Sequence, residues 1–275
     1  MGSPASERPQ SRSFRSFDGT RLVYYVHADD GEGDAVILLH GLLSSARALH
    51  GLGNSLAARG IRPFSLDLRA HGRSEAPRDP GAYRDQAMAR DVIALGEHLG
   101  LAEYALCAYG VGSELTSRVV NLGAPVTRAV MCGWGGPPSD LLDQYASEEW
   151  ARQAERLAEG FEADEPSTIA DRQAQAWRNA ADRGGVDRLA LAARLRSGDS
   201  AEPGLDPRGI GIPVLAICGA EDASPHAFAE ALPNATAVVV EGGHTTAGRD
   251  PALARAAIEF LAEDRAPARH RREAD

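Results

Sequence analysis

Apolar runs of strand length recur along this chain with helical patterns between them. That alternation limits the fold more than any other feature. Residues 35–39 (AVILL) are apolar throughout, and 104–109 read as a second such run. Residues 62–68, 126–132, 214–218 and 235–240 supply four more segments of strand length. A run that is apolar at every position suits a strand buried on both faces, as in a parallel sheet. Helical spacing follows at 46–59, 83–99, 115–122 and 252–261. Strands alternating with helices predict an α/β fold, with a mostly parallel, doubly wound sheet and right-handed crossovers. Ahead of it, residues 14–27 alternate and turn at Asp18-Gly19, which predicts a hairpin.

One stretch breaks the alternation. Residues 135–209 show no strand pattern and hold helical segments at 141–159, 167–182 and 186–196. They read as a helical cap inserted late in a core made of 14–134 and 210–265. Residues 1–13 and 266–275 read as disordered tails. The length, 275 residues, suits one such core with its insertion.

Composition excludes several classes. The net charge is −10, and no basic patch marks a nucleic-acid surface. All 29 basic residues are arginine. Without lysine there is no Schiff-base chemistry and no P-loop ATPase. No apolar run reaches the roughly 18 residues of a membrane span. The first sixteen residues lack the apolar stretch of a secretory signal, so the expected location is the cytoplasm. Cys107, Cys132 and Cys218 lie in strand-like runs without paired spacing, as buried reduced thiols would. The histidines show no metal-ligand spacing, so neither metal nor cofactor is expected. Gly110-Val-Gly112 opens a helix after a strand, but Leu115 stands where a dinucleotide loop needs its third glycine. The expected partner is a small-molecule substrate, bound by a monomer or homodimer.

Five motifs sit at the ends of the strand-like runs. His40-Gly41 follows the first buried run. Asp67-Leu-Arg-Ala-His71-Gly72-Arg73-Ser74 follows the run at 62–68. Ala108-Tyr109-Gly110-Val111-Gly112 bridges a strand and a helix. Gly219-Ala-Glu-Asp222 and Gly242-Gly243-His244 come late in the chain. In this order the set resembles the α/β-hydrolase superfamily over about residues 14–262. It is most similar to the cap-bearing branch with esterases, C–C hydrolases, haloperoxidase-like proteins and epoxide hydrolases.

The resemblance implies an elbow of the form small-x-nucleophile-x-Gly, with the nucleophile on a strained strand-to-helix turn. Here Gly110 holds that position, so the turn is expected to close while the hydroxyl is missing. The resemblance further implies that His244 is the base and Asp222 its acid, with Glu221 and Asp140 as competing carboxylates. It assigns the oxyanion hole to the backbone N–H groups of Leu42 and Val111. His40 and the 71–74 turn carry a supporting role. His40, Tyr109, Trp134, Trp150 and Trp177 are candidate pocket residues, with Tyr145 and Phe161 as further aromatics of the cap. Cys107, Ser113, Ser44 and Ser45 are weaker candidates for a substitute nucleophile.

Three functions fit. The first is general-base chemistry on a largely apolar small molecule, such as cyclisation, lyase, isomerisation or cofactor-free oxygenation, in natural-product biosynthesis for example. The second is an ester, amide or lactone hydrolase whose serine has been replaced by glycine. The third is a binding protein that has kept the pocket and lost the chemistry.

Overall fold

The computed structural model describes residues 8–28, 33–135, 140, 143, 147–198 and 206–263. An eight-stranded sheet runs through its centre: β1 (Gln10–Arg15), β2 (Arg21–Val26), β3 (Ala35–Leu39), β4 (Arg62–Asp67), β5 (Tyr104–Tyr109), β6 (Val126–Cys132), β7 (Val214–Gly219) and β8 (Ala235–Val240). The spatial order is β1-β2-β4-β3-β5-β6-β7-β8. β1 and β2 form the antiparallel hairpin, and β2 pairs antiparallel with β4. Every other pairing is parallel.

Strand alternation sends neighbouring side chains into two separate layers. Ile37, Leu39, Leu106, Ala108 and Met131 face one layer, closed by α2 (Ala87–His98), α3 (Val111–Asn121) and α7 (Pro225–Glu230). Val36, Leu38, Ala105, Cys107 and Val130 face the other, closed by α1 (His50–Ala57) and α8 (Pro251–Ala262). This two-sided burial is the physical reason for the continuous apolar runs. β3 lies between β4 and β5, so the chain leaves it in one direction and later returns on its other side. In open α/β sheets such a reversal opens a crevice at the carboxyl ends of the strands.

Between β6 and β7 the described residues contain no strand and include the α-helices α4 (Glu148–Glu162), α5 (Arg172–Gly184) and α6 (Arg188–Arg196). Their starts are set by side-chain caps. Ser147 accepts from the Trp150 N–H, Asp171 from Gln173 and Ala174, and Asp187 from Leu189 and Ala190. The helix expected at 167–182 therefore begins later, at Arg172, while the start of the one expected at 141–159 falls partly outside the described residues, with Asp140 and Asp143 themselves helical. Residues 1–7, 29–32, 136–139, 141–142, 144–146, 199–205 and 264–275 lie outside the described residues, and with them Tyr145 and the expected tail at 266–275.

The amino-terminal boundary needs correction. Residues 10–13, expected to be disordered, belong to β1 and pair with β2. Phe14 is the one buried side chain of β1. Backbone pairing rather than an apolar pattern holds this edge strand, which is why the sequence conceals it.

Candidate active site

Gly110 joins β5 to α3 with φ 54° and ψ −116°. An L side chain rarely adopts a positive φ, whereas glycine does so freely. The Gly110 N–H donates to the Cys132 carbonyl at 2.8 Å, and its own carbonyl accepts from the Ser113 N–H at 2.9 Å. The Ser113 hydroxyl donates to the carbonyls of Ala108 and Cys132. That hydroxyl is buried and engaged in holding the turn. Gly112 serves packing instead, since a Cβ there would lie 2.8 Å from the Leu39 carbonyl oxygen. The missing Cβ lets α3 start close against β3.

The loop after β3 is propped by two buried histidines. His40 is 1% exposed. Its Nδ1–H donates to the Gly41 carbonyl at 2.8 Å, and its Nε2 accepts the Leu68 N–H at 3.1 Å. Burial lowers its pKa to about 4, so it is neutral. His71 sits between the carbonyls of Arg69 and Leu42, and burial with the nearby His40 ring lowers its pKa to about 3. The expectation that His40 lines the pocket is therefore corrected. The residue lies beneath the loop, with both ring nitrogens committed to backbone. The N–H groups of Leu42 and Val111 donate to no acceptor among the described residues. Gly41 reaches the elbow, its Cα 3.8 Å from the point where a Gly110 Cβ would stand.

The turns after β7 and β8 bring Asp222 to His244. His244 Nδ1 lies 3.1 Å from Asp222 Oδ2, while Asp222 Oδ1 accepts the Ala223 N–H at 3.0 Å. The His244 side chain is 53% exposed and that of Asp222 20%. Glu221 lies beside Gly243, and Asp140 is exposed; the carboxylate hydrogen-bonded to His244 is that of Asp222. The opposite ring edge faces the elbow. A Cβ on Gly110 would stand 3.5 Å from His244 Nε2 and 3.7 Å from Cε1, which is ordinary van der Waals contact. The imidazole therefore looks onto bare backbone with room left for a side chain.

The remaining candidates separate. Tyr109 is half-buried, and its hydroxyl donates to the His244 carbonyl at 2.7 Å. Trp134, 6% exposed, packs on Phe228 within the core, their ring centroids 5.3 Å apart. Trp177 packs against the same core from α5, and Trp150 is half-buried at the start of α4. Cys107 belongs to the layer of α1 and α8, and burial pushes its thiol up to about 12. A thiol so shifted is no nucleophile near neutral pH. Among the described residues, no group of three or more His, Cys, Asp and Glu side chains is arranged to hold a metal. Sequence reasoning misses Gly133, where a Cβ would stand 3.1 Å from Tyr109 Cε1 and 3.2 Å from His244 Cε1. Its only sequence signal is a glycine directly after a strand.

With strand order, elbow and late-chain pair in place, comparison with known proteins is decisive for the architecture. Residues 34–161 match the α/β hydrolase fold family. The chain has the α/β-hydrolase fold. An AB hydrolase superfamily protein of Bacillus subtilis, YisY, is 29% identical over 145 residues, covering 52% of this chain and 53% of that protein. An epoxide hydrolase of Caballeronia sordidicola is 29% identical over 85 residues, covering 31% of this chain and 26% of that protein. The matches thus span about half the length of the first relative and a quarter of the second. Among solved structures, the enol-lactonase of Burkholderia xenovorans superposes with a TM-score of 0.67 at 22% identity, covering 92% of this chain and 100% of that one. An esterase of Thermogutta terrifontis reaches 0.70 at 21% identity (92% and 98% covered), and the bottromycin epimerase BotH 0.60 at 21% (91% and 98%). At such identities the α/β-hydrolase likeness is one of fold.

Proposed function

We propose that this α/β-hydrolase-fold chain is an enzyme in which His244, oriented by Asp222, acts through Nε2 as a general base on a bound small molecule. The proton comes from carbon, from a hydroxyl or from water, and the amides of Leu42 and Val111 stabilise the oxygen that gains negative charge. No acyl-enzyme forms at the elbow, because Gly110 has no hydroxyl to attack with. One observation carries this reading: His244 Nε2 faces Gly110 with only the space of a missing side chain between them. Aspartate on the other ring nitrogen favours the Nδ1–H tautomer, which leaves Nε2 free to accept a proton. The range of structures sharing the fold, from an enol-lactonase to an epimerase, supports chemistry beyond simple ester hydrolysis. The segment α4–α6 would act as the cap over the substrate, and the working location would be the cytoplasm. The described residues hold no helix long and apolar enough to cross a membrane.

The test assays the wild type, Gly110→Ser and His244→Ala on activated esters and on carbonyl compounds with acidic C–H bonds in D2O, with intact-mass detection of adducts. The wild type is expected to catalyse turnover or deuterium exchange without an acyl adduct, and His244→Ala to lose at least ~100-fold, the usual range for a general base. Retained turnover in His244→Ala, or an acyl adduct on the wild type, overturns the proposal. The room beside Nε2 also favours a second reading, a hydrolase that has lost its serine. In that case only Gly110→Ser turns esters over, through an acyl adduct.

A further inference from the structure

The loop that carries His244 is exposed and is held mainly through its backbone. Its turn closes locally: the Gly243 N–H donates to Thr246 Oγ1 at 2.9 Å, and the Gly243 carbonyl accepts from Thr246 and Ala247. None of these bonds fixes the imidazole. Asp222 holds Nδ1, and Nε2 has no hydrogen-bond partner among the described residues. In a site with a serine at the elbow, that hydroxyl would supply the partner. Here the position is glycine.

Tyr109 restrains His244 from its main-chain side. It is the last residue of β5, directly before Gly110, so the rigid sheet sets its place. Its hydroxyl donates to the carbonyl of His244 itself at 2.7 Å. Its ring lies 5.8 Å from the imidazole, with the planes 59° apart. Two glycines give the arrangement room. A Cβ on Gly133 would come 3.1 Å from Tyr109 Cε1 and 3.3 Å from His244 Nδ1, the nitrogen bonded to Asp222. A Cβ on Gly248 would come 3.2 Å from Tyr109 Cε2. Gly133 also has φ 63°, so glycine suits it on two counts.

We propose that Tyr109, seated between Gly133 and Gly248, is the positioning residue that fixes the His244 imidazole in place of the absent nucleophile side chain. It acts through the His244 backbone and ring. Its hydroxyl is committed to a main-chain carbonyl and does not address the substrate. The inference rests on the reading of His244 as the base only for its catalytic meaning, since the clamp itself is measurable without substrate.

The experiment is NMR on the full chain, wild type against Tyr109→Phe, Gly133→Ala and Asp222→Asn. Two signals are followed: the His244 Nδ1 proton with its imidazole titration, and hydrogen exchange of the amides at 243–247. Asp222→Asn removes the Nδ1–H···carboxylate bond and calibrates the first signal. Tyr109→Phe is expected to broaden or lose the Nδ1 proton, displace the His244 titration midpoint and speed loop exchange at least tenfold. A merely structural tyrosine would change exchange and leave the ring signals alone. Gly133→Ala keeps the Tyr109 hydroxyl and crowds the ring, so it should disturb the same ring signals even if Tyr109→Phe folds poorly. The clamp is refuted if both variants retain the wild-type Nδ1 proton and titration midpoint. That result would leave the general-base reading standing, because turnover and its loss in His244→Ala are measured separately.

Discussion

The wall built from the loops after β3, β4 and β5 and the wall built from the loops after β7 and β8 hold their groups by different means. In the first, the groups that hold the loops are themselves buried: His40, Asp67, Arg69 and His71. His40 and His71 prop the loop after β3. The Asp67 carboxylate accepts the Ala46 N–H at 2.8 Å, the Arg73 N–H at 2.9 Å and the Tyr25 hydroxyl at 3.2 Å. Arg69 is clasped by Asp91 through two bonds and by Asp18 through a third. In the second wall, an exposed histidine hangs on Asp222 and on the Tyr109 hydroxyl. The difference follows from what each wall presents. The first presents main-chain N–H groups, which need a rigid frame and no particular side chain at the elbow. The second presents an imidazole side chain, which is exposed.

The largest expected effect falls on the rigid wall. Asp91→Ala leaves the Arg69 guanidinium buried without its main partner, and one-sided removal of a buried ion pair costs about 3–5 kcal/mol. Urea unfolding measures it, and a loss below ~1 kcal/mol would mean that this network does not frame the wall. The next effect is acid lability. Burial holds His40 and His71 at pKa values of about 4 and about 3 in the folded protein, below the ordinary histidine value of 6.5. Protons therefore bind the unfolded chain first, and stability is present above about pH 6.5 and is lost as pH falls through about 4 toward about 3. The loss should reach a few kcal/mol. It should persist in His244→Ala, because the groups responsible lie in the other wall; unfolding titrations at about pH 7 and about pH 4.5 compare the two proteins. Gly110→Ser comes third. Space is available, but φ 54° strains an L residue, so a cost of about 1–3 kcal/mol is expected by thermal unfolding. Smallest is His244→Ala, an exposed site whose removal should change stability by no more than about 0.5 kcal/mol while lowering turnover at least ~100-fold. A larger stability loss there would erase the contrast between the walls.

Much of the fold is legible in the sequence, and the exceptions share a cause. β3 and β5 can be read because burial on both faces leaves a nearly unbroken apolar run in AVILL and YALCAY. β1 cannot, because an edge strand pairs through backbone and buries only Phe14. Asp222, His244 and Gly110 can be marked through the resemblance of the motif order to the α/β-hydrolase superfamily. Their approach, with Nδ1 on Asp222 and Nε2 over Gly110, requires three loops to meet. His40 and Trp134, expected at a pocket, are instead a loop support and a core residue, since a residue type does not state which way its side chain is buried.

The sequence by itself determined the layered α/β architecture, because burial on both faces of a strand is written locally as an apolar run. The place of Gly110 at the elbow and the pairing of Asp222 with His244 were implied by the resemblance of the ordered motifs to the α/β-hydrolase superfamily. Only the tertiary structure decided that Asp222 rather than Glu221 bonds His244, that the imidazole faces bare Gly110, and that Tyr109 and Gly133 close around it. Those are contacts between residues far apart in the chain, among them 135 residues from Tyr109 to His244. No spacing rule reaches so far, because the folded sheet alone brings the ends of β5, β6, β7 and β8 together.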